Sequence, residues 1–400
     1  MPAIIQRPER LVILGSGITA LAVARDARRL GLSALIMDTQ AGMAMTSRQA
    51  YSRILRDAED MTLPGLVALA REQPSLLIAT SDEWLRFLLL HRGELDAEFA
   101  RVLHPASAQL ATCLDKQRFA AWCGAHGLRT PRQFTLAELL QSAALPCPLL
   151  LRPAETRHAA SPAEVPKARQ VSSRAELLLQ LAGLERVGLQ PVLTESLLGR
   201  PLRQYSVGFA RHGGQTLTVV AHKLRPLPAA CAAGTLVQTV PDAALDALGR
   251  QVAELLDYSG IGELEVLRDL RSGEDFLIEV NARPWLQFPL GEATGSDLLG
   301  LVTDMRNDAA ARAGTRARWL DFRGDLRACF ARPDGLVRSG QLGALDYLAS
   351  LLRARRFACW SLRDQRPFWN GLRDLLTRPW RPAAPDPERI RAGGSAVARH

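Results

Sequence analysis

Four polar residues at one end of a hairpin can do chemistry together. Between positions 262 and 283, two strand-like runs, GELEVLRD and EDFLIEVN, meet at a Ser272-Gly273 turn. Successive strand side chains alternate between faces, so Glu279 and Asn281 share a face, and Glu265 on the first run reaches the same side. Two carboxylates and an amide oxygen form an all-oxygen donor set. Such a set suits Mg²⁺ bridging phosphates rather than zinc. Arg283 follows two residues later and can bring a cation to the same cluster. Glu279 is framed by Phe276, Leu277, Ile278 and Val280. An idle carboxylate in such an apolar setting is costly, which favours a ligand role over a solvated strand end.

The cations carry a second signal. Of 50 basic residues only three are lysine, at 116, 167 and 223. A compact ammonium and a planar guanidinium are not interchangeable beside phosphate oxygens. All three lysines fall between 115 and 225.

The elements that must position these groups are legible in outline. Residues 10–38 give a strand, a helix and a strand, joined by Gly15-Ser16-Gly17-Ile18-Thr19-Ala20, with Asp38 closing the second strand. This is a partial dinucleotide fingerprint, G-x-G-x-x-A. The bland alternative is that the two glycines only permit a tight turn. Residues 64–91 continue the α/β pattern, with Ser81 or Asp82 as helix N-cap. A helix over 115–127 ends at Gly127. A buried-type strand at 145–152 leads into a polar, Pro-bearing loop, then a helix, a strand (PVLTES) and a strand-rich stretch from 204 to 240.

Composition excludes several classes. With 47% hydrophobic and 23% charged residues, the chain is neither disordered nor a coiled coil. No apolar run approaches the ~20 residues of a spanning helix. MPAIIQRPER lacks the apolar core of a secretory signal. The six cysteines show no metal or redox spacing, which fits free thiols in a reducing cytoplasm. The net charge of +9 is lopsided. Residues 321–400 hold 15 Arg against 7 Asp and 1 Glu, while the first 320 residues are nearly neutral. This argues against nucleic acid as a partner. The segment LLRARRFACWSLRDQRPFWNGLRDLLTRPWR combines Arg with Trp360, Trp369 and Trp380; contact with an anionic membrane surface is the less favoured reading, packing on the core the favoured one.

In order along residues 10 to 300, the sequence resembles the ATP-grasp superfamily of ATP-dependent carboxylate ligases, on the branch of D-aspartate ligase, carbamoyl-phosphate synthase and biotin carboxylase. The resemblance rests on the Gly15 turn, ATSDE at 79–83 and LDKQRFAAWCGAHGLRTP. It continues through PLLLRPA at 148–154, VPKARQVSSRAEL, VLTESLLGR at 192–200 and LIEVNARPW at 277–285, the last matching E-x-N-x-R. It implies an α/β Rossmann-like pre-ATP-grasp domain (1–108), then a two-lobed α+β ATP-grasp fold (109–310, lid lobe 130–192). A basic C-terminal extension (311–380) and a disordered tail (381–400) follow, with the extension outside the core.

The resemblance also implies roles. Lys116 and Arg152 contact ATP phosphates, Arg152 replacing the usual Lys. Lys167 sits on the lid. Glu195, Ser196 and Leu197 line the adenine at the hinge. Glu265, Glu279 and Asn281 hold one or two Mg²⁺ ions, with Mn²⁺ an acceptable substitute. Lys223, Arg225 and Arg283 handle phosphate or substrate, and Arg203, Arg225 and Arg283 are candidates to grip a substrate carboxylate. The implied activity is ATP-dependent activation of a carboxylate as an acyl phosphate, followed by attack of an amine. The alternatives are a carboxylase-type enzyme working through carboxyphosphate, a non-catalytic ATP-binding protein, and a flavin or nicotinamide oxidoreductase suggested by the Gly15 turn. The partners are small-molecule carboxylate and amine substrates; homo-oligomerisation stays open.

Overall fold

The computed structural model describes residues 8–55, 59–142, 144–153, 168–186, 188–227, 233–305, 316–331 and 335–377. Lys167, the loop 154–167, Cys231 and the tail 381–400 lie outside the described residues.

The first part of the chain alternates strands and helices: β1 (Arg10–Leu14), α1 (Ile18–Arg29), β2 (Ser33–Asp38), β3 (Tyr51–Ile54), α2 (Glu59–Glu72), β4 (Ser75–Ala79), α3 (Asp82–Leu90), α4 (Arg92–Glu98) and β5 (Arg101–Val102). The strands form one parallel sheet in the order β3-β2-β1-β4-β5. Apolar runs such as RLVIL and SLLIA are buried along their whole length or nearly so, as expected of strands covered on both faces. The order reverses between β1 and β4, and open α/β sheets bind ligands beyond the strand ends at such a point.

Two helices follow, α5 (Ser107–Leu114) and α6 (Lys116–Ala125), where the sequence indicates one. Asp115 separates them by capping α6, its carboxylate accepting from the N–H groups of Gln117 and Arg118 at 2.8 and 3.0 Å. A small antiparallel lobe comes next: β6 (Gln133–Phe134), α7 (Leu136–Gln141), β7 (Leu149–Pro153), β8 (Arg169–Val171), α8 (Arg174–Arg186) and β9 (Pro191–Glu195), with sheet order β6-β9-β7-β8. It has its own core of Leu139, Leu149, Leu151, Val171, Leu177, Leu184, Leu189 and Leu193.

The larger sheet uses β10 (Leu202–His212), β11 (Gln215–Leu227), β12 (Ala233–Thr239), α9 (Ala243–Leu255), β13 (Gly260–Asp269), β14 (Asp275–Asn281), α10 (Leu290–Thr294) and α11 (Leu298–Thr303). It then takes β15 (Arg318–Leu320), α12 (Phe322–Leu326), α13 (Ala344–Leu352), β16 (Arg356–Phe357) and α14 (Arg366–Thr377). Its strand order is β14-β13-β10-β11-β12-β15-β16. One buried cluster joins Val12 and Leu14 of the first sheet and Trp84 of α3 to Tyr205, Val207 and Val280 of the larger sheet, with Leu110 and Phe119 in the same cluster. The two sheets therefore share a core.

The C-terminal part packs on that core, the favoured reading of its Arg- and Trp-bearing segment, rather than standing outside it as its charge suggests. β15 pairs with β12, and β16 pairs with β15. Trp319 and Cys359 are buried in the cluster that also holds α1. Asp364, fully buried, accepts from Arg25, from the Ser47 hydroxyl at 2.8 Å and from the Arg48 N–H at 3.1 Å. Among the described residues most arginines of this part face water, and its aromatic residues are buried or half-buried except Phe330 and Trp369, 41% and 55% exposed.

Candidate active site

The β13–β14 register pairs Glu265 with Glu279 and Glu263 with Asn281. All four side chains fall on one face. The opposite face carries Leu264, Val266 and Val280, buried against the shared core. The register slips between Glu265 and Val266, so that Ile278 is an extra residue on β14. Such a bulge re-aims side chains. Here it lets Ile278 and Glu279, neighbours in sequence, both face the site. Ile278 then packs with Leu197, Leu202, Leu267 and Phe276 in an apolar wall beside the carboxylates.

Lys223 on β11 closes the cluster from the other side. Its Nζ donates to Glu265 Oε1 at 2.9 Å, and the residue is only 5% exposed. Burial works to lower the Lys223 ammonium, but Glu265, Glu263 and Glu279 outweigh it, and the pKa is raised. Gln204 Nε2 donates to Glu265 Oε2 at 3.3 Å. The Ser206 hydroxyl and Asn281 Nδ2 both donate to Glu263, the latter at 3.0 Å. Glu263 is buried, and loss of water followed by the nearby Glu265 raises its pKa despite Lys223. Glu279, at the mouth, is raised by desolvation and then by Glu265, against Lys116 and Arg152. Lys116 Nζ lies 3.8 Å from Glu279 Oε2. Arg283 Nε donates to Asp82 Oδ1 at 2.6 Å and its Nη2 to Asn281 Oδ1 at 3.4 Å.

Three carboxylates thus crowd one face, and two of them are held above their usual range. This is the donor chemistry a divalent cation relieves. No three Asp, Glu, His or Cys side chains among the described residues form a ready cage. Mg²⁺ needs none, because it binds one or two carboxylates and completes its shell with water and substrate phosphates. The residues fit the ion.

Lys116, Lys223, Glu265, Glu279, Asn281 and Arg283 are brought together, and Arg152 is close enough to act on Glu279. Arg225 is not. A β-bulge separates it from Lys223, and its guanidinium makes two 2.8 Å bonds to fully buried Asp325 and a 2.7 Å bond to Ser350. Arg203 alternates with Gln204 along β10 and is exposed on the other face. Of the three arginines proposed to grip a carboxylate, Arg283 alone stands at the cluster. The sequence reading missed Glu263, although E-x-E on one strand signals a shared face, and Asp82, which reaches Arg283 across 201 residues.

At the end of β9, the segment expected to be the hinge, Glu195 accepts from the Arg132 N–H at 3.1 Å and from Arg200 at 2.8 Å. Ser196 N–H donates to the Pro148 carbonyl at 2.8 Å, and Leu197 is 4% exposed in the apolar wall. The Gly15 turn is different. Asp38 accepts from the Ser16 hydroxyl at 2.6 Å and from Trp84 Nε1 at 3.2 Å, which uses the carboxylate a dinucleotide ribose would need. Gly42 packs onto Ser16 so closely that a side chain there would collide with it.

No known family model matches the sequence, and no curated protein sequence matches it. Solved structures do. Rhizobium etli pyruvate carboxylase matches 78% of this chain with a TM-score of 0.59 and 16% identity, and this chain spans 31% of that one. An N5-carboxyaminoimidazole ribonucleotide synthetase in complex with ADP matches 85% of this chain and 87% of its own, with a TM-score of 0.62 and 15% identity. The L-amino acid ligase of Bacillus licheniformis matches 78% and 79%, with a TM-score of 0.57 and 15% identity. The fold is ATP-grasp. The small lobe over β6–β9 and the larger sheet are the two lobes of that fold, and the carboxylates stand on the larger lobe's β13–β14 hairpin.

Proposed function

We propose that the protein is an ATP- and Mg²⁺-dependent carboxylate–amine ligase that activates a carboxylate as an acyl phosphate and releases ADP. One observation carries the reading: Glu265, Glu279 and Asn281 share a face beside Lys223, Lys116 and Arg283. A carboxylate is a poor electrophile until phosphorylated. Phosphoryl transfer needs positioning and charge neutralisation more than a protein nucleophile. Mg²⁺ held by Glu265, Glu279 and Asn281 would neutralise charge on the phosphates. Lys116 and Arg152 would contact phosphate oxygens from the small-lobe side. Lys223 would hold Glu265 in place, and Arg283 would steady the transferred group. Leu197 and Ile278 would flank the adenine, with Glu195 and Ser196 offering backbone groups at the hinge.

The amine would be a small molecule, and the named ligase among the structural relatives supports that choice. None of the five described cysteines is paired, which supports a reducing, cytoplasmic setting. Among the described residues no helix is long and apolar enough to cross a membrane. The test is ADP release with pools of amino acids and dipeptides, with and without bicarbonate. Stimulation by a carboxylate–amine pair supports the ligase; stimulation by bicarbonate alone replaces it with a carboxyphosphate-forming enzyme; no ADP under any condition overturns both. Arg152→Lys should retain turnover if its role is phosphate contact.

A further inference from the structure

The segment after Asn281 is held from outside its own sheet. His104, 2% exposed, lies between two backbone groups. Its Nε2 accepts from the Ala79 N–H at 2.7 Å, and its Nδ1 is 2.9 Å from the Ala282 carbonyl oxygen. A backbone N–H can only donate and a carbonyl can only accept. The proton therefore sits on Nδ1, and a doubly protonated ring would lose the Ala79 bond. One residue further on, the Arg283 guanidinium is bonded to Asp82 at 2.6 Å. Asp82 stands in the first turn of α3, directly beyond β4.

The position of His104 has a local cause. β5 pairs with β4 only as far as Val102, with one further bond from Leu103 N–H to the Leu77 carbonyl. The chain then turns away at Pro105, so the ladder has no carbonyl left for Ala79. The imidazole takes that place and spends its other nitrogen on the larger sheet. Arg92 fixes the turn by donating to the carbonyls of His104 and Pro105. Gly260, with φ of +122°, lets the start of β13 lie against the Leu103 carbonyl, where any side chain would collide.

We propose that His104 and Asp82 are positioning residues: together they fix the Ala282–Arg283 segment, so that the N-terminal sheet sets where the Arg283 guanidinium meets the phosphoryl group. The proposal rests on the ligase reading for Arg283. Both act through protein contacts, His104 on the Ala282 carbonyl and Asp82 on Arg283. Burial, with Arg92 adding to it, pushes the His104 ring down to about 3, which keeps it neutral and both bonds intact at ordinary pH.

The experiment compares wild type with His104→Phe, which fills the ring volume without hydrogen bonds, and with Asp82→Asn, which removes the charge at the cleft and needs no repacking. Each is assayed for MgATP binding by titration calorimetry, for ADP release, and for amide hydrogen exchange of the 277–285 segment. The expected result is kcat lowered about 10- to 100-fold with MgATP affinity held within about threefold, the mark of misplaced rather than missing contacts. Exchange at 282–283 should quicken in His104→Phe while the β10–β11 ladder is unchanged. His104→Asn, which keeps one donor toward Ala282, should recover part of the loss. Wild-type kcat in both variants, or unchanged exchange at 282–283, overturns the proposal. A wild-type protein without ADP release overturns the ligase reading instead, and the exchange comparison then decides the clamp by itself.

Discussion

Two regions of this molecule advertise a nucleotide in the sequence, and the structure surrounds them differently. The Gly15 turn offers G-x-G-x-x-A and Asp38; the β13–β14 hairpin offers Glu265, Glu279, Asn281 and Arg283. At the turn, the acidic group is satisfied internally: Ser16 and Trp84 hold Asp38, and Gly42 covers Ser16. At the hairpin, three carboxylates crowd one face, and burial holds two of them above the usual range. A motif lists residue types, whereas a site needs groups whose electrostatics are left unfinished by the fold. Unfinished charge is a sharper sign of function than glycine spacing.

The comparison can be broken most directly at its two acids. Glu279→Gln should lower ADP release by about 10²–10³-fold, the range for losing one preorganised electrostatic group. Asp38→Asn should leave the rate as in wild type. Equal losses would show that the turn takes part after all. Next in size is Lys223→Met. A buried ion pair stripped of one partner leaves an uncompensated charge, so stability should fall by about 3 kcal/mol in urea unfolding. A change under ~0.5 kcal/mol would mean that water reaches Glu265 freely.

The pH response sharpens the contrast between the regions. His104 has a folded pKa of about 3, below the ordinary 6.5 of the unfolded chain. The unfolded state therefore binds more protons between these values, and the stability held above pH 6.5 is lost as pH falls. By pH 5 the loss should be about 2 kcal/mol, and His104→Phe should remove that part of the slope. A mutant with the same acid slope as wild type would assign it elsewhere. The smallest effect is expected at the turn. Ser16→Ala removes one hydroxyl bond to Asp38 and should cost about 1 kcal/mol in thermal unfolding, with MgATP affinity unchanged. Weakened MgATP binding in that variant would reopen the turn as a ligand site.

The small lobe and the larger sheet differ in a related way. The lobe over β6–β9 has a separate core, and the segment Glu195–Leu197 joins it to the rest. The larger sheet shares its core with the N-terminal sheet and is further tied by β15 and β16. The carboxylates thus stand on the sheet that shares its core with the N-terminal sheet, Glu279 on its edge strand β14.

Local pattern determined a good deal of this. Alternation along ELEV and EVNAR placed Glu265, Glu279 and Asn281 on one face, because the strand period of two is fixed by backbone geometry. Apolar runs and turn glycines marked most strands and helices of the first 300 residues. Three matters lay beyond that reach. The bulge at Ile278 and the separation of Lys223 from Arg225 depend on how partner strands register, which no single strand encodes. The capture of Arg225 by Asp325 and of Arg283 by Asp82 joins residues 100 and 201 positions apart. The basic C-terminal part reads as an appendage by its charge, yet it completes the sheet and buries Asp364 against Arg25. The sequence by itself determined which groups could bind a metal and phosphate. Only the tertiary structure decided which of them gather in one place, because a side chain's neighbours are brought by distant parts of the chain.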